Sequence, residues 1–321
     1  MSIARKMHFV RNVIKNDKKL LTNFGIDYAS IDFCRNVILH GTQTKLGAKL
    51  DNYYYKKVES CFFDKDYYRK IVLTYKDAEV SNNEYIARDA PIWILWWQGI
   101  DNAPLIVKQC IRSIKANAEN HVIHFIDCNN YFEFCSIPPY IIEKLNKGLI
   151  TLTHFSDILR LHLLSENGGI WMDATLFMYG PFPDNMYSKT FYTIKHGLYC
   201  DSICHGKWTG FFLACTQNNP LICFCRNLID EYWKHEDALI CYLLIDVTFS
   251  IAYNSFEWAR SMIDNVPDNN KNVFWLQEHV NDQYEIFDVK QRDNCMFKMS
   301  YKIYLSDNPN TYWNVIGRKE L

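Results

Sequence analysis

The chain has 321 residues, 49% of them apolar, which is enough to bury a large core and excludes a disordered polymer. Its 35 basic and 36 acidic side chains give a net charge of −1, which argues against a nucleic-acid binder. The longest apolar stretch, residues 238–253, is shorter than the roughly 20 residues of a bilayer span and predicts a buried helix. Twelve irregularly spaced cysteines and the lack of a signal peptide predict free thiols and a cytoplasmic location.

The first 20 residues concentrate positive charge. They carry six basic residues and one acidic residue, a net charge of +5. Apolar side chains recur among them at helical spacing, at Ile3, Met7, Val10 and Ile14. A basic amphipathic helix of this kind can make a peripheral contact with the inner face of the cytoplasmic membrane. Alternatively, its apolar stripe docks on the body of the protein.

Two regions differ in their patterns. Residues 1–88 predict a mainly helical extension, and residues 89–321 predict one α/β domain. Short apolar runs in the second region predict strands at 92–97, 121–126, 149–152 and 170–172, and periodic runs predict helices at 103–118, 141–145 and from an N-cap at Ser156 to Gly168. Alternating strands and helices are typical of an α/β sandwich with a largely parallel sheet.

Ligands of such sheets bind beyond the carboxyl ends of the strands. Trp97 and Asp173 lie at such ends, and Thr175 stands two residues after Asp173 on the same side. Oxygen ligands in this arrangement suit a hard divalent cation. Asp157 and Arg160 share one helix face, where they can clamp a polyol, although an isolated pair of this spacing is usually a surface ion pair.

The ordered combination of these residues resembles a known family. Residues 156–160 read Ser-Asp-Ile-Leu-Arg, and residues 168–175 read Gly-Gly-Ile-Trp-Met-Asp-Ala-Thr. This signature is similar to that of capsular polysaccharide synthesis proteins, which are related to glycosyltransferase family 32, and residues 92–99 fit the same group. The resemblance is firm over residues 91–177. It implies a GT-A fold, the Rossmann-like sandwich of nucleotide-diphospho-sugar transferases.

The resemblance also implies a role for each matching residue. Trp97 corresponds to the aromatic residue that stacks on the nucleotide base, and Asp157 and Arg160 to the pair that contacts the hydroxyls of the donor sugar. Asp173 corresponds to the first carboxylate of the Asp-x-Asp motif, which meets a diphosphate-bound manganese or magnesium ion. Thr175 replaces the second carboxylate, so we expect weakened metal binding.

Four further residues are candidates. Relatives supply a C-terminal metal ligand, for which the loop containing Thr311 and Trp313, or else His279, is the candidate here. Asp246 lies in the apolar stretch, where an unpaired carboxylate would be costly. It is either a satisfied polar contact or a catalytic group on the acceptor side.

The resemblance implies a hexosyltransferase that moves a hexose from a nucleotide-sugar donor, linked to UDP, to a saccharide or lipid-linked saccharide acceptor of a bacterial capsular or surface polysaccharide. Asp173, Arg160 and the metal would stabilise the departing diphosphate. We expect retention, since the site offers no evident general base. Two alternatives are a non-catalytic nucleotide-sugar-binding subunit of a capsule-assembly complex, which Thr175 favours, and a sugar-phosphate transferase.

Overall fold

The computed structural model describes residues 3–39, 44–80, 84–197, 203–285 and 294–317, with side chains from residue 9 onward. The N-terminal part of these residues is helical, as predicted. Its helices are α1 (Ile3–Phe24), α2 (Ile26–Phe33), α3 (Lys45–Asp64) and α4 (Asp66–Thr74), with a π-helical turn at Cys34–Ile38.

Strands and helices alternate through much of the rest of the chain. The strands are β1 (Ile92–Leu95), β2 (Ile123–Ile126), β3 (Gly169–Met172), β4 (Leu176–Met178), β5 (Phe191–Thr193), β6 (Phe212–Cys215) and β7 (Met296–Lys298). The helices are α5 (Leu105–Asn117), α6 (Pro139–Asn146), α7 (Leu152–Asn167), α8 (Pro220–His235), α9 (Leu244–Ser255), α10 (Glu257–Asp264), α11 (Trp275–Glu278) and α12 (Tyr312–Ile316).

The central sheet has the strand order β2-β1-β3-β6-β5. Ile92 of β1 pairs in parallel with Ile123 of β2 on one side and with Ile170 of β3 on the other. β6 and β5 complete the sheet in antiparallel pairings, and β4 pairs with β7 in a separate two-stranded sheet. This mixed α/β sandwich with a helical N-terminal region confirms the predicted fold class. The carboxyl ends of β1 and β3 lie at one edge, which positions the site.

The start of α7 differs from the prediction. The strand predicted at 149–152 is wrong, as is the N-cap predicted at Ser156. The backbone N–H of Leu149 bonds back to the carbonyl of Lys144, and Thr151 caps α7 by accepting a hydrogen bond from the N–H of His154. Threonine caps a helix nearly as well as serine. The helix therefore can begin after Thr151, five residues before Ser156, and in the structure it does. The helix ends at Gly168, as predicted, where a φ of 66° suits glycine.

The N-terminal helices and the α/β part share one hydrophobic core. Tyr54 of α3 donates to the carbonyl of Ile240, and Lys65 forms an ion pair with Glu236 beyond the end of α8. In α1, Val13 and Leu20 are buried, so part of this helix is docked. Its predicted contact with a membrane stays a prediction.

The eleven cysteines among the described residues are free thiols, in agreement with the prediction. Burial raises the pKa of several of them, that of Cys135 to about 12, which keeps the thiol protonated and unreactive. Of the apolar stretch at 238–253, residues 244–253 form most of the buried helix α9, as predicted, whereas residues 238–243 precede the helix. None of the helices in the described ranges has both the length and the apolar character needed to cross a membrane.

Candidate functional site

Asp173 follows β3 directly, and its carboxylate is the centre of a charged cluster. Nζ of Lys298 lies 2.8 Å from Oδ2, and Nη2 of Arg160 lies 3.3 Å from Oδ1. The indole N–H of Trp171 also donates to Oδ1, over 3.0 Å. Burial alone would raise the pKa of Asp173, but the positive charges of Lys298 and Arg160 outweigh it and hold the pKa below its usual value. The carboxylate is therefore ionised at neutral pH.

Arg160 joins the two predicted carboxylates. Its Nη1 lies 3.2 Å from Oδ1 of Asp157, one turn earlier on α7, while Nη2 contacts Asp173. The guanidinium carbon lies 4.8 Å from the ring centre of Trp171. Because Arg160 is 5% exposed, the pair with Asp157 is not a surface ion pair. The structure thus brings together three of the predicted site residues.

Lys298 is the fourth member of this cluster, and sequence reasoning missed it. It ends β7, where it pairs with Leu176 of β4. This pairing brings its ammonium group to Asp173, 125 residues away in sequence, and to Oγ1 of Thr175, to which it also donates. Its signal in the sequence is a single lysine after two apolar residues, which does not distinguish it from a surface lysine.

The position of Lys298 bears on the predicted metal site. Both predicted ligands, Asp173 and Thr175, are bonded to its ammonium group. Among the described residues, no cluster of three or more His, Cys, Asp or Glu side chains is arranged to hold a metal ion. Because an ion bound between Asp173 and Thr175 would meet the ammonium group of Lys298, the side chains in this arrangement do not fit manganese or magnesium there.

Trp97 lies in the turn after β1, at the same sheet edge as Asp173. Its ring contacts Phe155 edge-on at 5.3 Å between centroids and Tyr131 at 5.6 Å. Its carbonyl accepts a hydrogen bond from the N–H of Cys128, which fixes the turn. The side chain is half-buried, so part of the indole is accessible to a flat ligand.

Two exposed tyrosines beside the cluster were also missed. Tyr242 is 70% exposed, and partial burial together with the negative charges of Asp157 and Asp173 raises the pKa of its hydroxyl. Tyr301 packs edge-on against Trp96, with 5.6 Å between ring centroids. In the sequence they are two among 21 tyrosines, and nothing in their neighbours marks them.

The remaining candidates have structural contacts. Asp246 accepts a hydrogen bond from the indole N–H of Trp208 over 3.0 Å, the polar contact that the first alternative expects, and its catalytic role on the acceptor side stays a prediction. Thr311 caps α12 by accepting from the N–H of Asn314, and Trp313 is buried in a second core cluster against Phe177.

His279 bonds through Nδ1 to the carbonyl of Trp275 and stacks on that indole at 4.5 Å. These contacts tie the side chain to α11. The prediction that Thr311, Trp313 or His279 supplies a metal ligand stays a prediction. In the cluster that the structure does describe, the C-terminal contribution to Asp173 comes from Lys298.

The comparisons with known proteins identify the family. A family model described as capsular polysaccharide synthesis protein matches residues 41–316. The chain belongs to this family. The matched residues contain α3 and α4 as well as the α/β part. The region shared by the capsular family therefore includes two helices of the N-terminal part. It also contains every residue of the charged cluster, from Asp157 to Lys298.

Individual relatives of this capsular family member are distant. The chain is 24% identical to the O-glycosyltransferase braB of Annulohypoxylon truncatum over an alignment of 113 residues, which covers 32% of this chain and 27% of that protein. The solved structure of the PaToxG Glycosyltransferase is 18% identical with a TM-score of 0.40, covering 67% of this chain and 88% of that one.

Proposed function

We propose that the chain is a glycosyltransferase that moves a hexose from a UDP-linked donor to a saccharide acceptor of a capsular or other surface polysaccharide. The observation that carries this proposal is the pair of carboxylates, Asp157 and Asp173, joined by the buried guanidinium of Arg160 beyond the end of β3. Membership in the capsular polysaccharide synthesis family supports the biological setting.

The donor is bound along the sheet edge. The accessible part of the Trp97 indole receives the base by stacking. One carboxylate oxygen of Asp157 faces Arg160 at 3.2 Å and the other lies 3.7 Å from Nδ1 of His154. Each oxygen has a further lone pair, with which Asp157 accepts hydrogen bonds from the sugar hydroxyls.

Arg160 stabilises the leaving group. As the bond between the anomeric carbon and the diphosphate oxygen breaks, negative charge develops on that oxygen, and a fixed guanidinium stabilises it without reorganising. The acceptor hydroxyl forms the new bond to the anomeric carbon, and its proton passes to the departing phosphate oxygen. Asp157 and Asp173 are both engaged with Arg160, which supports this front-face, retaining course over one with a general base.

The acceptor approaches across exposed aromatic side chains. Tyr242 and Tyr301 offer flat surfaces with a polar edge beside the cluster, which suits the apolar face of a pyranose ring. A lipid-linked acceptor would be reached from the inner face of the cytoplasmic membrane. The basic helix α1, with exposed Phe9 and Ile14, provides the peripheral contact.

A screen of nucleotide sugars tests the function. Purified protein is incubated with UDP-hexoses, and both donor hydrolysis and the melting temperature are measured. We expect hydrolysis of one donor, and stabilisation by that donor, since a ligand that binds the native state raises its stability. Stabilisation without turnover would instead identify a binding subunit, and a product that retains phosphate, seen by mass spectrometry, would identify a sugar-phosphate transferase.

A further inference from the structure

We propose that Lys298 takes the place of a divalent metal ion at this site, so that the diphosphate of the donor is met by two fixed side-chain cations, Lys298 and Arg160. This inference deepens the proposed function and rests on it. It replaces the manganese or magnesium ion expected from the sequence with a residue of the chain.

Lys298 occupies the position predicted for the metal ion. Nζ of Lys298 lies 2.8 Å from Oδ2 of Asp173 and is bonded to Oγ1 of Thr175. Asp173 and Thr175 are the two residues that were predicted to hold the metal. A magnesium ion would have to lie about 2.1 Å from the same oxygens. It would then be within a few ångströms of an ammonium group, where like charges repel strongly. The ion and Lys298 therefore compete for one location.

Lys298 is held in place by its backbone and by its surroundings. Its backbone N–H donates to the carbonyl of Val273 over 2.7 Å, and β7 is paired with β4. Its Nζ lies 5.4 Å from the ring centre of Phe211, and its side chain is mostly buried. A cation fixed before the donor arrives needs no reorganisation during the reaction, which is the property that makes preorganised charges effective.

Lys298 retains the capacity to donate a further hydrogen bond. A lysine ammonium group has three N–H donors. Among the described residues, Asp173 and Thr175 use two of them, which leaves one for a phosphate oxygen. Arg160 lies on the other oxygen of Asp173, at 3.3 Å, so the two cations flank the carboxylate and can contact the diphosphate together.

The test compares wild type with Lys298→Met, Lys298→Arg and the exposed control Lys271→Met. Manganese binding is measured by calorimetry, and donor hydrolysis is measured in EDTA and in added manganese. We expect the wild type to bind no manganese by itself and to keep its hydrolysis in EDTA. Lys298→Met should lose about 100-fold in turnover, and Lys298→Arg should retain more because it keeps the charge. Added manganese should partly rescue Lys298→Met, whose carboxylate is freed.

If the wild type binds manganese, and if its hydrolysis is lost in EDTA and restored by manganese, this inference is wrong. The proposed glycosyltransferase function would still stand in that case. Full activity of Lys298→Met in EDTA would overturn the inference as well. If the wild type neither binds nor hydrolyses any nucleotide sugar with or without manganese, the proposed function itself is wrong. Melting temperatures of all four proteins separate these outcomes from misfolding.

Discussion

Gly210 lies directly against the guanidinium group of Arg160. A Cβ atom added at Gly210 would stand 2.7 Å from Nη1 of Arg160, closer than such atoms approach one another in proteins. The absence of a side chain at residue 210 is therefore what allows Arg160 to lie between Asp157 and Asp173.

Gly210→Ala should impair activity more than stability. The atom it meets is the end of a flexible side chain, so Arg160 shifts and the fold is kept. We expect turnover to fall by about tenfold or more, since small misplacements of a catalytic group are costly, and the melting temperature to change little. Gly180→Ala is the matched control, because a Cβ there meets nothing within 4 Å. Equal activity of the two variants would contradict this role of Gly210.

Asp173→Asn should reduce both activity and stability. The change leaves Lys298 and Arg160 without the charge that pairs them, at a cost of about 1–3 kcal/mol in the free energy of unfolding after allowance for partial exposure. Because the folded pKa is depressed, this stability is present above the usual carboxyl pKa and is lost as the pH falls through the folded value.

Denaturant melts of Asp173→Asn and wild type between pH 3 and pH 8 measure this difference. It should be constant above about pH 5 and should shrink toward pH 3. Asp184→Asn is the control, since Asp184 forms an exposed ion pair with Arg88 and should cost little. A difference that grows as the pH falls would show that the sign of the shift is wrong.

Trp97→Ala and Asp157→Ala should separate the two halves of the donor. Loss of the indole should weaken binding of free UDP by about 1–3 kcal/mol if the base stacks on it. Loss of the Asp157 carboxylate should leave UDP binding nearly unchanged and weaken binding of the intact nucleotide sugar. Calorimetry with both ligands measures this, and equal losses for both ligands in both variants would refute the division.

Asp17 on α1 should make stability depend on pH. Burial, followed by the negative charge of Asp32, raises the pKa of Asp17 to about 7. Between about pH 4 and pH 7 the folded chain binds more protons at this group than the unfolded chain, so stability falls as the pH rises. Asp17→Asn should therefore melt higher than wild type at pH 8 and equally near pH 4. Identical pH profiles would show that the burial of Asp17 has no such effect.

Membrane contact should depend on the exposed apolar side chains of α1. Phe9→Ser combined with Ile14→Ser removes two exposed apolar side chains and leaves the buried Val13 and Leu20 intact. We expect less sedimentation with anionic vesicles and unchanged donor hydrolysis. Leu73→Ser, an exposed leucine on α4, is the control. If the double variant sediments as wild type does, α1 is not the membrane contact.

The sequence predicted those features that depend on local patterns. The strands β1, β2 and β3 were predicted from buried apolar runs that end at polar residues. Helix spacing and a strand end also indicated Asp157, Arg160 and Asp173, whose side chains lie together in the structure, while their roles in a reaction stay predictions. The start of α7 was misplaced because Thr151 and Ser156 are both good caps, and tertiary contacts decide between them. Lys298 and Gly210 escaped because their roles depend on a partner far away in sequence.

The distance along the chain between Asp173 and Lys298 has a consequence for biosynthesis. A nascent chain that has emerged as far as β6 already contains all five strands of the central sheet, yet it lacks β7, the strand that delivers the ammonium group. Contacts between distant residues form late because closing a long loop is entropically unfavourable. The cluster around Asp173 is therefore complete only after β7 has paired with β4, and a chain interrupted before β7 lacks one of its two cations.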